Sequence, residues 1–295
     1  MYQMKLFTDE QQGQIVNVAS VPQRSPFRYP GGKTWLIPRI RQWFAHLQTK
    51  PAQFIEPFAG GASVGLAVAF ERLVDHVMLV ERDEEVAAVW QTILNGDAEW
   101  LAQEICSFNL TLASTKALLS RTDLTLREQA LRTIVKNRVN RGGILAPGAG
   151  LLKEGENGRG ITSRWYPETL SKRIRDIAAI RERITFITGD GLVILRQYGQ
   201  REDTIFFIDP PYTAGSKRAG SRLYTHAELD HQELFHLTSG LHGDFLMTYD
   251  DDEGVRSLAR QHNFDMQTVA MKNTHHARMT ELLIGRNLDW LRVSL

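Results

Sequence analysis

Ile205-Phe206-Phe207-Ile208-Asp209-Pro210-Pro211-Tyr212 decides how this chain folds. Four consecutive apolar residues read as a short buried strand. The strand delivers a carboxylate, two prolines and a phenol ring at its carboxyl end, the edge where ligands bind in open α/β sheets. Both prolines fix φ, so the corner is stiff, and Asp209 and the Pro210 carbonyl become two fixed acceptors. The ring of Tyr212 adds a flat face. Two acceptors beside a stacking surface suit the amino group of a nucleobase.

Upstream, Gln53-Phe54-Ile55 reads as a strand and Glu56-Pro57-Phe58-Ala59-Gly60-Gly61-Ala62-Ser63 as a turn into a helix from Val64 to Phe70. Val77 to Val80 is the next strand, ending at Glu81-Arg82-Asp83, and Glu84 to Leu94 is helical. Strand, glycine turn, helix, strand and acid make a βαβ unit with a right-handed crossover. Gly60 and Gly61 let backbone approach a ligand. The helix behind them aims unpaired N–H groups at the same space, where a phosphate or carboxylate would sit. A tight βα corner with no ligand is the plain alternative. Glu81 lies about 20 residues beyond the turn, where a ribose hydroxyl partner belongs in dinucleotide-type sites. Glu56 could meet a ligand ammonium or serve as a helix N-terminal charge. Asp190, after a strand at Ile184 to Ile187, could accept from a cofactor's adenine amino group or cap the helix beginning near Leu192.

The middle of the chain differs. Helices are expected over Glu99 to Leu119, Arg127 to Asn140 and Pro167 to Arg183, with a glycine-rich loop from Arg141 to Ser163. A loop that long in a compact domain is usually functional or disordered. Lys116 to Arg183 holds fifteen Lys and Arg against seven Asp and Glu, a net +8, so the rest of a chain of formal charge +1 carries −7. A basic middle in an acidic chain suits a phosphate-facing surface, although charge runs are often only solvated helix faces. Further on, Ala227 to Leu241 reads as a helix and Phe245 to Thr248 as a strand. Phe264 to Met271 and Thr280 to Gly285 could form a closing antiparallel pair.

Cys106 is the only cysteine, which excludes an internal disulfide and a cysteine-rich metal site and favours a reducing interior. The amino terminus has no signal-peptide pattern, and no apolar run is long enough to span a bilayer. A soluble, cytoplasmic protein is expected, in a bacterial or phage-infected cell. His226, His231 and His236 recur every five residues and do not share a helix face, so they read as surface or packing residues. Asp250-Asp251-Asp252 reads as a capping turn rather than a Mg²⁺ site. No metal is expected.

Taken together, four motifs in order resemble the adenine-specific DNA methyltransferases of the Dam type (the D12 class). The resemblance spans Phe27 to Ile284. Arg28-Tyr29-Pro30-Gly31-Gly32-Lys33 looks like the family's opening motif, in which an aromatic residue and a lysine frame the S-adenosylmethionine site. Phe54 to Gly61 resembles its cofactor loop. Glu81 stands where the family keeps a ribose-binding acid, usually Asp. Asp209-Pro210-Pro211-Tyr212 matches the catalytic motif in full.

The resemblance implies an α/β, Rossmann-like methyltransferase fold with a mixed, mostly parallel sheet. Residues 1–95 and 184–295 would form a split catalytic domain, and 96–183 an inserted, mostly helical target-recognition domain. It implies S-adenosylmethionine as cofactor, held by Tyr29, Lys33, Glu56, Pro57, Phe58, Gly60, Gly61, Glu81, Asp190 and Asp209. Asp209, Pro210, Pro211 and Tyr212 would carry catalysis on a flipped adenine. Double-stranded DNA is the expected partner, contacted by Arg141, Lys153, Arg159 and Arg164. A restriction endonuclease in the same system is compatible and not required. Gly142 to Arg164 departs from the pattern that reads GATC, so no recognition sequence follows. An RNA adenine methyltransferase and a catalytically inert DNA-binding protein of the same fold remain the alternatives. A Rossmann oxidoreductase is disfavoured, because Gly-x-Gly-x-x-Gly is missing and Asp-Pro-Pro-Tyr has no place there.

Overall fold

A computed structural model describes residues 21–29, 31–155, 158–211, 228–272 and 278–292. Seven strands form one sheet: β1 (Gln53–Glu56), β2 (His76–Glu81), β3 (Ile184–Thr188), β4 (Thr204–Ile208), β5 (Phe245–Asp250), β6 (Asp265–Lys272) and β7 (Arg278–Gly285). Their order is β3-β2-β1-β4-β5-β7-β6. The first five are mutually parallel, and β7 runs antiparallel to both β5 and β6. The strand order reverses between β1 and β4, which pair through Phe54 and Ile205. That reversal opens a crevice at the carboxyl ends of the two strands.

All five residues of β4 are buried, as expected for a strand covered on both faces. Alternation sorts the side chains. Phe54, Val77, Leu79, Ile205, Phe207, Leu246 and Leu283 enter one core, while Ile55, Met78, Val80, Phe206, Ile208, Met247 and Ile284 enter another. The first core is filled by α1 (Ile37–His46), α2 (Ser63–Phe70) and α3 (Glu84–Leu94). The second is filled by α8 (Gly191–Tyr198), α9 (His231–Ser239) and α10 (Glu253–Gln261).

Between β2 and β3 the chain also forms α4 (Ala98–Ser107), α5 (Leu112–Leu119), α6 (Leu126–Val139) and α7 (Pro167–Ala178). Their apolar faces, including Leu101, Ile105, Ile134, Val135, Leu170 and Ile174, are continuous with the first core. Three expectations need correction. The helix expected over Pro167 to Arg183 ends at Ala178, and Arg181–Arg183 forms a separate 3₁₀ turn. The helix expected over Glu99–Leu119 is two helices, because the Thr111 side chain accepts from Ser114 N in a capping box that starts α5. The helix expected from Ala227 begins at His231, where Asp230 caps Glu233 N. The glycine-rich segment is partly ordered by an Asn140–Leu151 bridge and short 3₁₀ turns at Arg141–Gly143 and Gly160–Arg164.

Candidate active site

A cavity of about 930 Å³ lies over the crevice between β1 and β4. The glycine turn forms its floor. Gly60 has φ +47°, and a Cβ there would come within 2.5 Å of the Tyr29 ring. Its peptide is held on both sides: Gly60 N donates to Glu81 Oε2 at 2.8 Å, and Trp90 Nε1 donates to Gly60 O at 3.0 Å. A Cβ on Gly61 would also press on Tyr29, at 2.9 Å. Glycine is therefore required at Gly60 by both conformation and space.

Glu81 ends β2 and organises the turn. Besides Gly60 N, it accepts from Arg82 N and Asp83 N through Oε1, each at 2.8 Å. Burial raises its pKa, opposed in part by these N–H donors. Each carboxylate oxygen has two lone-pair sites, so the group can hold backbone and still accept from a hydroxyl. Asp190 accepts from Leu192 N to cap α8, as one of its two readings had it, and it also lines the cavity, with Arg82 Nη1 3.7 Å from its other oxygen. Phe58 packs against Gly191, whose added Cβ would meet the Pro57 carbonyl at 2.4 Å.

Glu56 ends β1 and is 3% exposed. Its Oε2 accepts from Gly65 N at 2.8 Å, inside the first turn of α2, so it acts as the helix N-terminal charge. Burial pushes its carboxyl well above the usual carboxylate range, and the neighbouring Asp209 adds to the effect.

Asp209 follows β4 directly. Thr248 Oγ1, on β5, donates to Asp209 Oδ1 at 2.7 Å, and Lys33 Nζ lies 3.0 Å from the same oxygen. Lys33 is 2% exposed. Its backbone N–H donates to Ser63 Oγ, which ties the opening loop to the glycine turn. Burial alone would lower the lysine pKa; the Asp209 and Glu281 carboxylates outweigh it and raise the value. Lys33 thus lines the cavity but is committed to Asp209, more than the resemblance implied.

Glu281 was not singled out from the sequence. It sits on β7 opposite Asp250 of β5, is 3% exposed, and its Oε2 is 3.6 Å from Lys33 Nζ. Burial raises its pKa to about 7, relieved by Lys33 and reinforced by Asp209 and Asp250. A charged residue inside Thr280-Glu281-Leu282-Leu283-Ile284 was the one available signal.

Pro210 is buried and Pro211 lines the cavity. Tyr212, His226, His275 and His276 lie outside the described residues. His231 shares a hydrogen bond with the Tyr249 hydroxyl at 2.9 Å. Asp252 caps α10 through Gly254 N, and Asp251 pairs with Arg256.

The far wall of the cavity is basic. Arg28, Arg138 and Arg173 line it. Arg173 Nη1 donates to Ser25 O, Arg138 Nη2 to Pro26 O, and the Asn137 side chain brackets the Arg28 backbone. Burial, with the like charges of Arg173, Arg28 and Arg164, lowers the Arg138 pKa to about 9. The four cations chosen from the sequence are not gathered in one place. Arg164 belongs with this arginine group. Arg141 and Lys153 line a separate groove with Lys116, and Arg159 reaches the Tyr166 hydroxyl. Position on α6 and α7 gives Arg138 and Arg173 no local signal, so sequence reading missed them.

Comparison with known proteins bears on this geometry. Residues 29–138 match the family of D12 class N6 adenine-specific DNA methyltransferases. No curated protein matches the sequence. Among solved structures, the chain is similar to PH1948 of Pyrococcus horikoshii, described as a candidate RNA methyltransferase, at 10% identity and TM-score 0.41, covering 94% of this chain and 97% of that one. It is similar to yhhF of Escherichia coli, described as a candidate methyltransferase, at 12% identity and TM-score 0.39, covering 88% and 90%. The rRNA methyltransferase aviRa of Streptomyces viridochromogenes is similar at 16% identity and TM-score 0.37, covering 98% and 96%. Among the described residues no helix is long and apolar enough to cross a membrane.

Proposed function

We propose, on the premise that this chain is an S-adenosylmethionine-dependent methyltransferase whose residues 29–138 match the D12 class, that it methylates the exocyclic N6 of adenine in duplex DNA. The observation that carries this reading is the position of Asp209. It is fixed by Lys33 and Thr248 at the strand-order reversal, in the same cavity as the Gly60–Glu81 turn.

The cavity suits the cofactor on its own evidence. The cradle at Gly60 would be closed by a Cβ, the Tyr29 ring packs against it, and Glu81 and Asp190 line the same cavity as acceptors. Tyr29, Glu56, Pro57, Phe58, Gly60, Gly61, Glu81 and Asp190 would hold it, with Lys33 and Asp209 at the reacting end. When bound, S-adenosylmethionine supplies an electrophilic methyl group on a sulfonium.

The chain's own residues would do the rest. An adenine stacked in a duplex cannot reach such a site, so it is flipped out, at a few kcal/mol. Tyr212 stacks on the flipped ring. Asp209 and the Pro210 carbonyl each accept one hydrogen of the amino group, which turns the nitrogen lone pair out of conjugation. Pro211 keeps the corner rigid. Alignment for in-line attack then supplies much of the rate. Lys33 and Thr248 keep the Asp209 carboxylate from rotating away.

Residues 96–183 would serve as the target-recognition segment. Arg28, Arg138 and Arg173 line the cavity and would face phosphates near the flipped nucleotide, with Arg164 close enough to Arg138 to add to the charge there, and Arg141, Lys153 and Arg159 would extend that contact.

Product identity tests the reading. Duplex DNA and RNA of mixed sequence are incubated with methyl-labelled S-adenosylmethionine, digested and chromatographed. N6-methyladenine from DNA is expected. Label confined to RNA, or found on another base, overturns the substrate assignment.

A further inference from the structure

Attack by a neutral amine leaves the nitrogen with a new N–C bond, a positive charge and one proton too many. Resting on the reading above, we propose that Glu281 takes up this proton through Asp209 and Lys33, acting as the terminal acceptor of a buried relay.

Lys33 is paired with both carboxylates of the relay. Asp209 Oδ1 is 3.0 Å from Lys33 Nζ, and Lys33 Nζ is 3.6 Å from Glu281 Oε2. Glu281 Oε2 is buried and faces the Lys33 ammonium at 3.6 Å, beyond ordinary hydrogen-bond distance. A buried carboxylate oxygen in that condition is costly unless it takes up a proton or gains a donor. Among the described residues, the charged groups facing Glu281 are Lys33 from the opening loop, Asp209 from β4 and Asp250 from β5; β6 opposes it with Val269. One ammonium among three carboxylates leaves an excess of negative charge, which favours arrival of a proton there.

The step balances. The amino nitrogen gives its surplus proton to the Asp209 carboxylate. Lys33 gives a proton to Glu281 and receives the one held by Asp209. At the end Asp209 is again a carboxylate, Lys33 is again an ammonium, and Glu281 is a carboxylic acid. No further reactant is needed. Glu56, the other buried acid of the cavity, is a poor acceptor. Its Oε2 is already engaged by Gly65 N in the first turn of α2, and burial raises its pKa well above the usual carboxylate range.

Because Glu281 acts through other residues, its test needs readouts that a structural role would leave alone. The first uses the free protein. Side-chain ¹³C NMR of glutamate-labelled protein, with the Glu281 signal identified by its loss in Glu281→Gln, is followed from pH 4 to 9. A midpoint near neutrality that falls in Asp209→Asn is expected, because a like charge is removed. A midpoint in the ordinary carboxylate range overturns the proposal. The second is the pH profile of single-turnover methylation. The wild-type rate should fall on the acid side as Glu281 becomes protonated. Glu281→Gln should be slower by about 10- to 100-fold, a general-base-sized loss, and should lack that acid limb. An unchanged acid limb in Glu281→Gln overturns the relay while the methyltransferase reading stands. Wild-type protein that yields no N6-methyladenine would instead remove the reading on which the relay rests.

Discussion

Lys33 Nζ stands 3.0 Å from Asp209 Oδ1, buried at the junction of a loop and a strand end that are far apart in sequence. This contact joins the two halves of the site. The same lysine residue, through its backbone N–H, holds Ser63 at the start of α2. Removing one partner of a buried ion pair strands the other, at about 3–5 kcal/mol. Lys33→Met should therefore lower stability by about that amount in urea titration. Adding Glu281→Gln should restore part of the loss, since one of the two carboxylates that faced the lost ammonium is then neutral. Additive losses in the double variant would show that Lys33 and Glu281 are not coupled.

The raised pKa of Glu281 also makes a prediction about stability. The unfolded chain releases this proton near 4.5, the native protein near about 7. Between those values the native state binds more protons, so stability falls as pH rises through that window. The loss attributable to Glu281 is about 3 kcal/mol. Urea titrations at pH 4.5 and 7.5 should show the wild-type protein losing more stability than Glu281→Gln. Parallel losses in the two proteins would place the proton elsewhere.

Gly60 carries a left-handed φ, and its added Cβ would overlap the Tyr29 ring. Both effects act on the cofactor cradle. Gly60→Ala should weaken S-adenosylmethionine binding about tenfold or more, because strain of 1–2 kcal/mol is placed directly in the turn. Calorimetry measures it. Unchanged affinity would mean that the turn does not touch the cofactor.

Arg173 lines the basic wall and anchors the Ser25 carbonyl. If it meets a DNA phosphate, Arg173→Gln should reduce the slope of log K against log salt by about one. Its S-adenosylmethionine affinity should stay near wild type. An unchanged slope would remove Arg173 from the DNA contact set.

Much of this was legible in the sequence because the signals were local. An unbroken apolar run before Asp209 fixed a buried strand, and the glycine turn with Glu81 beyond it described one corner of a parallel sheet. The closing pair β6 and β7 was also readable from its apolar segments. What stayed hidden depends on contacts between distant elements. Nothing near Lys33 announces Asp209 or Glu281, and a lysine beside two glycines reads equally well as exposed. Glu281 became important only when β7 paired between β5 and β6, which takes it off the sheet edge and leaves Glu281 buried. Arg138 and Arg173 look like ordinary helix charges until α6 and α7 turn them towards the opening loop. The break between α4 and α5 was missed because an apolar helical pattern continues across a threonine cap.

The Asp209→Ala variant tests the central claim most directly. Single-turnover transfer of labelled methyl to duplex DNA and calorimetric binding of S-adenosylmethionine are measured on the same preparation. Transfer should vanish, while the cofactor Kd stays within about threefold of wild type, the pattern of a group needed at the reacting atom rather than for binding. Methyl transfer near the wild-type rate in this variant would contradict the account.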